Sequence, residues 1–388
     1  LRGGRIAVQY TSLGTPPDAR VDCSAGNSYG AANLRENSLY GAEMGTLWLP
    51  NAQLLTPTMA DQLFTYCNLV IPGFTSWAPD HLTLSNCSFQ IAATNFQLTA
   101  TNGVLLDNGG LGIYGNLTTI QGDLVLTNGG KLWVYSAATN NAIADYGALV
   151  SITGNMAIGS ASWAYPVAER FNGGGVLFSM SNLTIAAGGG FNADGRGYGL
   201  TNGQGQGGDN AGHGTGAGYG GKGGQSLSYI TCGAVYGSPD VPIQPGSGTG
   251  GRGVAGEPGG GSVRIEVTNS VIVGGTISAN GGNGCSDADG VASGGGIWIS
   301  CASFGGSSNG LLRANGGQAR GGYGGGGGGG RIAVHYTSLD PVHAVRFACS
   351  PSAGYYGVPA DEMNSILYPR KGTLWLSDSG WLSTNMSG

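Results

Sequence analysis

Short runs of alternating apolar and polar residues recur along the chain. The run at 331–336, Arg-Ile-Ala-Val-His-Tyr, places Ile332, Val334 and Tyr336 on one face. A period of two is typical of a β-strand with one buried face. The same alternation occurs at 82–84, 263–267 and 297–299. The pattern therefore predicts many short strands.

Helical periodicity is almost absent from the chain. One segment, Thr58–Phe64, begins with a residue type that often caps a helix, and it predicts one or two helical turns. Everywhere else the apolar spacing indicates strands or irregular segments. The predicted fold class is all-β.

A spacing of 20 residues relates two of the predicted strands and their turns. Val-Leu-Leu-Asp-Asn-Gly-Gly at 104–110 recurs as Leu-Val-Leu-Thr-Asn-Gly-Gly at 124–130. A constant spacing aligns equivalent residues in a ladder, which favours a parallel β-helix, also called a β-solenoid, whose stacked turns share one core. The Asn-Gly pairs also permit a two-residue hairpin, which would give an antiparallel sandwich or barrel.

A second spacing, of 34 to 35 residues, marks the later part of the chain. Glycine triplets begin at Gly259, Gly294 and Gly328, and each precedes a short alternating run. Ala-Asn-Gly-Gly stands at 279–282 and returns 35 residues later at 314–317. We interpret each block as two strands followed by a glycine-rich return.

The longest spacing covers most of the chain. Arg-Ile-Ala-Val-Gln-Tyr-Thr-Ser-Leu at 5–13 returns as Arg-Ile-Ala-Val-His-Tyr-Thr-Ser-Leu at 331–339, which is 326 residues later. Gly-Thr-Leu-Trp-Leu at 45–49 returns at 372–376. We expect a tandem-repeat array of which this chain is one period and the start of the next. The expected divisions are the end of one repeat landmark at 1–50, a β-helix at 51–165, a glycine-rich solenoid at 166–330, and the next repeat at 331–388.

The repeated strand differs at one outward position. Gln9 in the first copy corresponds to His335 in the second. Because the alternation places this position on the face away from the core, the exchange is expected to cost little.

Composition restricts the possible classes of protein. Glycine supplies 79 of 388 residues, yet it does not recur at every third position, so collagen is excluded. Charged residues amount to 10% and the net charge is −5, which excludes the basic face of a nucleic-acid-binding protein. Hydrophobic residues reach 40%, enough for a long core. No apolar run is long enough to form a transmembrane segment.

The most glycine-rich stretch has two interpretations. Residues 203–214 read Gly-Gln-Gly-Gln-Gly-Gly-Asp-Asn-Ala-Gly-His-Gly, and glycines fill 324–330. Such segments are often flexible linkers. Alternatively, the missing Cβ atoms allow extended backbones to approach and bond to one another, at the entropic cost of ordering glycine.

The cysteines indicate six thiols per period. Of the seven, Cys349 is the second copy of Cys23, and an even number is typical of disulfides in an extracellular protein. Buried free thiols are the alternative. No Cys-x-x-Cys pair is present, so a zinc site is not expected.

Motifs for catalysis and metal binding are incomplete. Gly-His-Gly around His213 is similar to an element of polygalacturonase-type hydrolases, but only Asp194 and Asp209 lie nearby in sequence, without the paired acids that glycoside cleavage needs. Asp287 and Asp289 start an Asp-x-Asp-Gly calcium loop that lacks its downstream acid. We therefore predict no catalytic, cofactor-binding or metal-binding residues, no cofactor and no enzymatic activity.

Glycosylation acceptors and tryptophans add little specificity. Acceptor patterns begin at Asn86, Asn116, Asn182 and Asn385. A sugar-binding stripe would need exposed tryptophans on one face, and alternation with Leu and Ile favours stacking in the core instead. The tryptophans on predicted strands are Trp48, Trp133, Trp298 and Trp375.

The glycine run before Arg-Ile-Ala-Val, the Ala-Asn-Gly-Gly turns and the Gly-Thr-Leu-Trp-Leu segment resemble the glycine-rich repeats of very large secreted bacterial surface proteins. The resemblance is best over 1–50 and 170–388. It implies an extracellular β-solenoid of adhesin or matrix type, and it carries over no functional residues.

The sequence therefore favours a structural, extracellular or cell-surface filament protein. Its expected partners are further copies of itself, through self-association or covalent continuation, and cell-surface polysaccharide. The alternative is a carbohydrate-active β-helix enzyme or a carbohydrate-binding adhesin. An ice-binding surface would need a regular outward row of threonines, which the sequence does not show.

Overall fold

The computed structural model describes residues 3–14, 19–24, 44–139, 144–210, 213–226, 231–249, 257–284, 289–319, 323–352 and 368–382. Every regular element within these ranges is a β-strand, and none is a helix. The first sixteen strands are β1 (Arg5–Ala7), β2 (Val21–Asp22), β3 (Gly45–Trp48), β4 (Thr58–Met59), β5 (Phe64–Thr65), β6 (Cys67–Val70), β7 (Ser76–Trp77), β8 (Leu82–Ser85), β9 (Ser88–Ala100), β10 (Val104–Asp107), β11 (Gly110–Ile120), β12 (Leu124–Thr127), β13 (Lys131–Tyr135), β14 (Ala148–Ile152), β15 (Asn155–Ile158) and β16 (Trp163–Val167). The others are β17 (Val176–Met180), β18 (Asn182–Ile185), β19 (Gly190–Asn192), β20 (Asp209–Asn210), β21 (His213–Gly214), β22 (Ser262–Val267), β23 (Ser270–Val273), β24 (Thr276–Ser278), β25 (Gly296–Ser300), β26 (Ser303–Gly306), β27 (Leu311–Arg313), β28 (Arg331–His335), β29 (Ser338–His343), β30 (Arg346–Ala348) and β31 (Thr373–Leu376).

Most strands belong to three parallel ladders. The first ladder is β1-β3-β6-β9-β11-β13-β16-β19-β24-β27-β30, and the second is β7-β9-β11-β14-β17-β22-β25-β28-β31. The long strands β9 and β11 take part in both, so the two ladders form one sheet. The third ladder, β4-β8-β10-β12-β15-β18-β23-β26-β29, is a separate sheet. The all-β prediction is confirmed for the described residues.

From β10 onward the chain visits the ladders in a fixed order: third, first, second. We call one such visit a circuit; β12, β13 and β14 make one, and β26, β27 and β28 make another. Val104 pairs with Leu124, and Gly296 pairs with Arg331. The predicted spacings of 20 and 35 residues are thus the lengths of individual circuits. Because β10 and β12 are parallel, the two-residue hairpin interpretation is wrong there.

Alternating side chains of all three ladders form one core. In β8, β10 and β12 every second residue is buried and its neighbour is partly exposed. Leu84, Leu106 and Leu126 pair in register and are 0% exposed. Each circuit contributes only a few apolar side chains, so the core depends on circuits being adjacent.

Asparagines fix the corners between ladders. Asn86, Asn108 and Asn128 follow successive strands of the third ladder and have φ angles of 50°, 47° and 52°. Asparagine tolerates this left-handed conformation better than most residues. The Asn108 Nδ2 atom donates to Asn86 Oδ1 at 2.5 Å, which links neighbouring corners.

A second asparagine column follows the first ladder. Asp194 Oδ1 accepts from the Asn280 amide at 2.7 Å, and Asn280 Oδ1 accepts from the Asn315 amide at 2.9 Å. Asn315 Oδ1 accepts from the Ser350 amide at 2.8 Å. Each side chain therefore satisfies a backbone donor of the next circuit.

The expected helical turns at 58–64 are wrong. Thr58–Met59 is strand β4 and Phe64–Thr65 is strand β5, separated by a turn in which Asp61 and Gln62 have φ angles of 54° and 63°. Pairing of β4 with β8 and of β5 with β2 outweighs the local helix-capping preference.

Glycine-rich connections between the first and second ladders form an ordered layer. We call it the glycine layer: the non-strand residues in the described parts of 193–261, 279–295 and 314–330. Three consecutive amides, those of Gly216, Ala217 and Gly218, donate to three different segments. Their acceptors are the carbonyl oxygens of Gly224, Val291 and Gly205, at 2.9, 3.0 and 2.8 Å. Consecutive amides that point in three different directions are typical of polyproline II backbone, which has three residues per turn.

Glycine in this layer is required by close backbone approach. A Cβ atom built on Gly216 would lie 1.8 Å from the Gly326 carbonyl oxygen, and one built on Gly220 would lie 2.1 Å from the Gly330 carbonyl oxygen. Neither residue has a positive φ angle, so conformation alone would admit a side chain. The ordered-packing interpretation is confirmed for the described part of the stretch.

We expect Gly216→Ala to destabilise the protein, since the added methyl group must displace backbone. Overpacking of this kind costs about 1–3 kcal/mol or more. The measurement is the midpoint of urea unfolding. Gly4→Ala is the matched control, because a Cβ atom at Gly4 would have nothing within 4 Å. Equal midpoints for the two variants would contradict the layer geometry.

Candidate functional site

The strand β28, which holds the second copy of the repeated phrase, lies against the glycine layer. Its Arg331 side chain is only 4% exposed. The Nε and Nη2 atoms donate to the Tyr236 carbonyl oxygen at 3.0 and 2.9 Å, and Nη1 donates to Thr373 Oγ1 at 3.0 Å. We call Arg331, Tyr219, Tyr236 and Thr373 the arginine socket.

Neutral groups surround the buried guanidinium. Its central carbon lies 5.5 Å from the centre of the Tyr219 ring, and the Tyr219 and Tyr236 rings are 4.7 Å apart. Burial raises the pKa of both tyrosines and lowers that of Arg331. Among the described residues no carboxylate is paired with Arg331. Carbonyl dipoles and the aromatic face must therefore offset the loss of hydration.

The first copy of the phrase has the same register but a different environment. Arg5 pairs with Thr46 as Arg331 pairs with Thr373, and Ile6 pairs with Leu47 as Ile332 pairs with Leu374. However, β1 is exposed along its length, with Ile6 37% exposed, whereas Ile332 is 0% exposed. In the described residues β28 has β25 on its other side, and β1 has no second strand. The two copies therefore differ in the segments that pack against them, and not in their own sequence.

The exchange of Gln9 for His335 is not neutral in its contacts. The His335 ring stacks on Trp375, with centroids 4.1 Å apart, and it contacts Trp298 at 5.9 Å. Its Nε2 atom lies 2.6 Å from the Asp240 carbonyl oxygen and must donate to it. His335 lies on the outward face, as expected, and the low cost expected for the exchange stays a prediction.

Tryptophans on the outer face pack mainly against their neighbours. Trp133 is 6% exposed and stacks on Tyr165 with centroids 5.4 Å apart, in a small cluster separate from the main core. Trp298 lies beneath the Arg264 guanidinium at 5.2 Å. The expected core packing is wrong for these two residues: both lie on the outward face, Trp133 in a cluster apart from the main core and Trp298 only partly buried.

The residues considered for glycoside cleavage have other contacts. Asp194 accepts the Asn280 amide and lies 3.8 Å from Arg313 Nη2. His213 lies in the short antiparallel pair β20–β21, and its ring centroid is 5.9 Å from that of Tyr323. Asp209 lies in the other strand of that pair.

The calcium-loop residues are only partly described. Asp287 lies outside the described residues, and Asp289 is 2% exposed within the glycine layer. In the part of the chain that the structure covers, no group of three or more His, Cys, Asp or Glu residues is arranged to hold a metal ion.

Two of the potential glycosylation asparagines take part in the corner networks. Asn86 accepts from Asn108, and Asn182 donates to Asn155 Oδ1 at 2.7 Å. Asn182 also accepts from Ser270 Oγ at 2.9 Å. The Asn116 side chain and Asn385 lie outside the described residues.

The six described cysteines are free thiols: Cys23, Cys67, Cys87, Cys232, Cys301 and Cys349. Cys285 lies outside the described residues. Burial raises the pKa of Cys87 to about 11 and that of Cys301 to about 12, so both thiols stay protonated at neutral pH. Four of the six are buried, Cys23, Cys67, Cys87 and Cys301, whereas Cys232 and Cys349 are partly exposed.

Comparisons with known proteins give no match to a family model, a curated protein or a solved structure. Among the described residues, no helix has the length and apolar character needed to cross a membrane. The arrangement of the site must therefore be interpreted from its own geometry.

Sequence reasoning found Arg331 through repetition but missed its partners. Tyr219 and Tyr236 stand among glycines, 112 and 95 residues before Arg331 in sequence, and they belong to no repeated phrase. Their bulk inside a glycine-rich segment is the only signal that could have singled them out.

We expect Arg331→Met to lower the free energy of unfolding by about 2–4 kcal/mol, because it removes three hydrogen bonds from a charged group and leaves the Tyr236 carbonyl unpaired. Arg331→Lys should restore little, since an ammonium lacks the planar fork of donors. Denaturant unfolding is the measurement. Arg5→Met is the matched control, and its exposed position predicts a change within about 0.5 kcal/mol. Equal losses at both positions would contradict the assigned role of the socket.

Proposed function

We propose that this chain is part of a tandem β-solenoid that serves as an extracellular or cell-surface filament. The observation that supports this most directly is the fixed order of ladders in successive circuits. Parallel stacking in one direction needs no closure, so a chain that repeats its circuits can extend along one axis.

The repeated phrase supplies the unit of extension. β1 and β28 carry the same residues and pair in the same register with β3 and β31. Nine strand pairings connect β1 to β28, four in the first ladder as far as β11 and five in the second beyond it. With neighbouring strands about 4.8 Å apart, one period of 326 residues corresponds to an axial rise of about 43 Å.

Successive units should also be rotated relative to each other. β1 belongs to the first ladder, whereas its second copy β28 belongs to the second ladder. A pure translation would keep equivalent strands in the same ladder. The proposed filament therefore combines a rise with a turn about its axis.

Cohesion in such a filament would come mainly from backbone. Only 10% of residues are charged, and the glycine layer joins circuits through amide-to-carbonyl bonds. The arginine socket adds a specific contact where one unit meets the next. The proposed ligand of the filament is cell-surface polysaccharide, by analogy with the resemblance in sequence.

We expect native filaments to show an axial repeat of about 43 Å together with a strand spacing of about 4.8 Å, by cryo-electron microscopy or fibre diffraction. In a recombinant series carrying one, two or three periods, particle length should increase by about 43 Å for each added period.

Short discrete particles whose length does not grow with added periods would contradict the filament. Cleavage of acidic polysaccharides by the same preparation would favour the carbohydrate-active alternative. The Arg331→Met variant of the two-period chain serves as a control for the junction, since it should lower stability without changing the spacing of intact particles.

A further inference from the structure

Two buried thiols lie close together near the start of the chain. Cys23, directly after β2, is 2% exposed, and Cys67, which opens β6, is 0% exposed. Both belong to the main hydrophobic core, and Cys23 follows Val21 by two residues. Cys67 Sγ also lies 3.4 Å from the Val21 carbonyl oxygen, which places it beside β2.

Backbone contacts hold both residues in place. The Cys23 amide donates to the Thr65 carbonyl oxygen at 3.0 Å, and Cys67 follows Thr65 by two residues. The Gly45 amide donates to the Cys23 carbonyl oxygen at 2.7 Å, while Gly45 also pairs with Cys67 in the ladder. Cys23 is therefore held between Thr65, two residues before Cys67, and Gly45, the ladder partner of Cys67, which brings the two cysteines close together.

We propose that Cys23 and Cys67 form a disulfide that links the chain across these strands. The oxidant is a small-molecule disulfide such as oxidised glutathione. One cysteine thiolate attacks it, forming a mixed disulfide and releasing one glutathione thiol. The second cysteine thiolate then attacks the protein sulfur of the mixed disulfide and releases the other glutathione. Two protein thiols become one disulfide, and one glutathione disulfide becomes two thiols.

The bond should form during folding and not afterwards. Exchange requires a thiolate, and burial raises the pKa of both Cys23 and Cys67 in the folded protein. In the unfolded chain both thiols have ordinary acidity and meet the oxidant freely. Once formed, the disulfide is shielded from reductants by the same burial.

Cys349 provides an internal comparison. It occupies the position of Cys23 in the second copy, and its carbonyl oxygen accepts the Gly372 amide at 2.8 Å, as that of Cys23 accepts Gly45. Its thiol faces the Thr373 carbonyl oxygen at 3.4 Å and contacts no other described thiol. We therefore expect Cys349 to stay a free thiol in this chain.

The test refolds the full chain in a glutathione redox buffer, then denatures it and alkylates the remaining thiols. Of the seven cysteines, five should be alkylated. Trypsin cuts at Arg35, between the two cysteines, so the bond should appear as a linked pair of peptides by mass spectrometry. Reduction should lower the thermal midpoint by roughly 5 °C or more.

Three variants identify the bonded residues. Cys23→Ser should leave six alkylated thiols and a midpoint that reductant does not change. Cys349→Ser and Cys87→Ser should each keep the linked peptides, and the second matters because the peptide from residue 36 to residue 131 also contains Cys87. Seven alkylated thiols in the refolded wild type, or linked peptides that vanish in Cys87→Ser, would overturn the proposal. It stands independently of the filament, whose failure would leave these results unchanged.

Discussion

The fold depends on satisfying the backbone hydrogen bonds between successive circuits of the chain. In the three ladders this is done by parallel strand pairing, in which each strand bonds to the circuits before and after it. In the glycine layer it is done by extended backbone whose successive amides point to different neighbours. Buried amides without partners are costly, so the layer can exist only if nearly every segment is packed.

That constraint explains the composition. Ordering glycine costs more entropy than ordering any other residue. The close packing and hydrogen bonding of backbones, which only glycine permits, offset that cost. Large side chains are therefore concentrated in the strands of the ladders, on both faces, and at a few positions of the layer such as Tyr219 and Tyr236. A guanidinium enters this environment only because carbonyl oxygens, a hydroxyl group and an aromatic ring receive it. The socket is thus a consequence of the layer: acidic side chains are scarce there and backbone acceptors are abundant.

Strand pairing could be predicted from the sequence where equivalent strands recur at a constant spacing. Contacts between residues that lie far apart in sequence could not. Val104 and Leu124 align because a circuit of 20 residues returns to the same ladder, and the 35-residue circuits behave alike. The helical expectation at Thr58 failed because pairing with β8, more than 20 residues away, decides that segment. The partners of Arg331 could not be found from its own phrase, since the identical Arg5 is exposed. The local residues determine that a strand forms, and the neighbouring circuits determine its burial and its contacts.

Backbone bonding alone does not determine register, and this limits how a glycine-rich stack can be built. Identical carbonyls along a glycine run would accept a shifted amide almost equally well, whereas a slip of one residue would turn core side chains outward. The asparagine columns remove this ambiguity. Asn280 and Asn315 each place one side-chain oxygen on one amide of the next circuit, 35 residues on. A slipped circuit would lose these bonds, each worth about 0.5–1.5 kcal/mol, in every circuit at once. Arg331 has the same role between β28 and the glycine layer, because its three donors meet their acceptors in one register only. Uncharged backbone therefore supplies the cohesion of the stack, and a few polar side chains set its alignment.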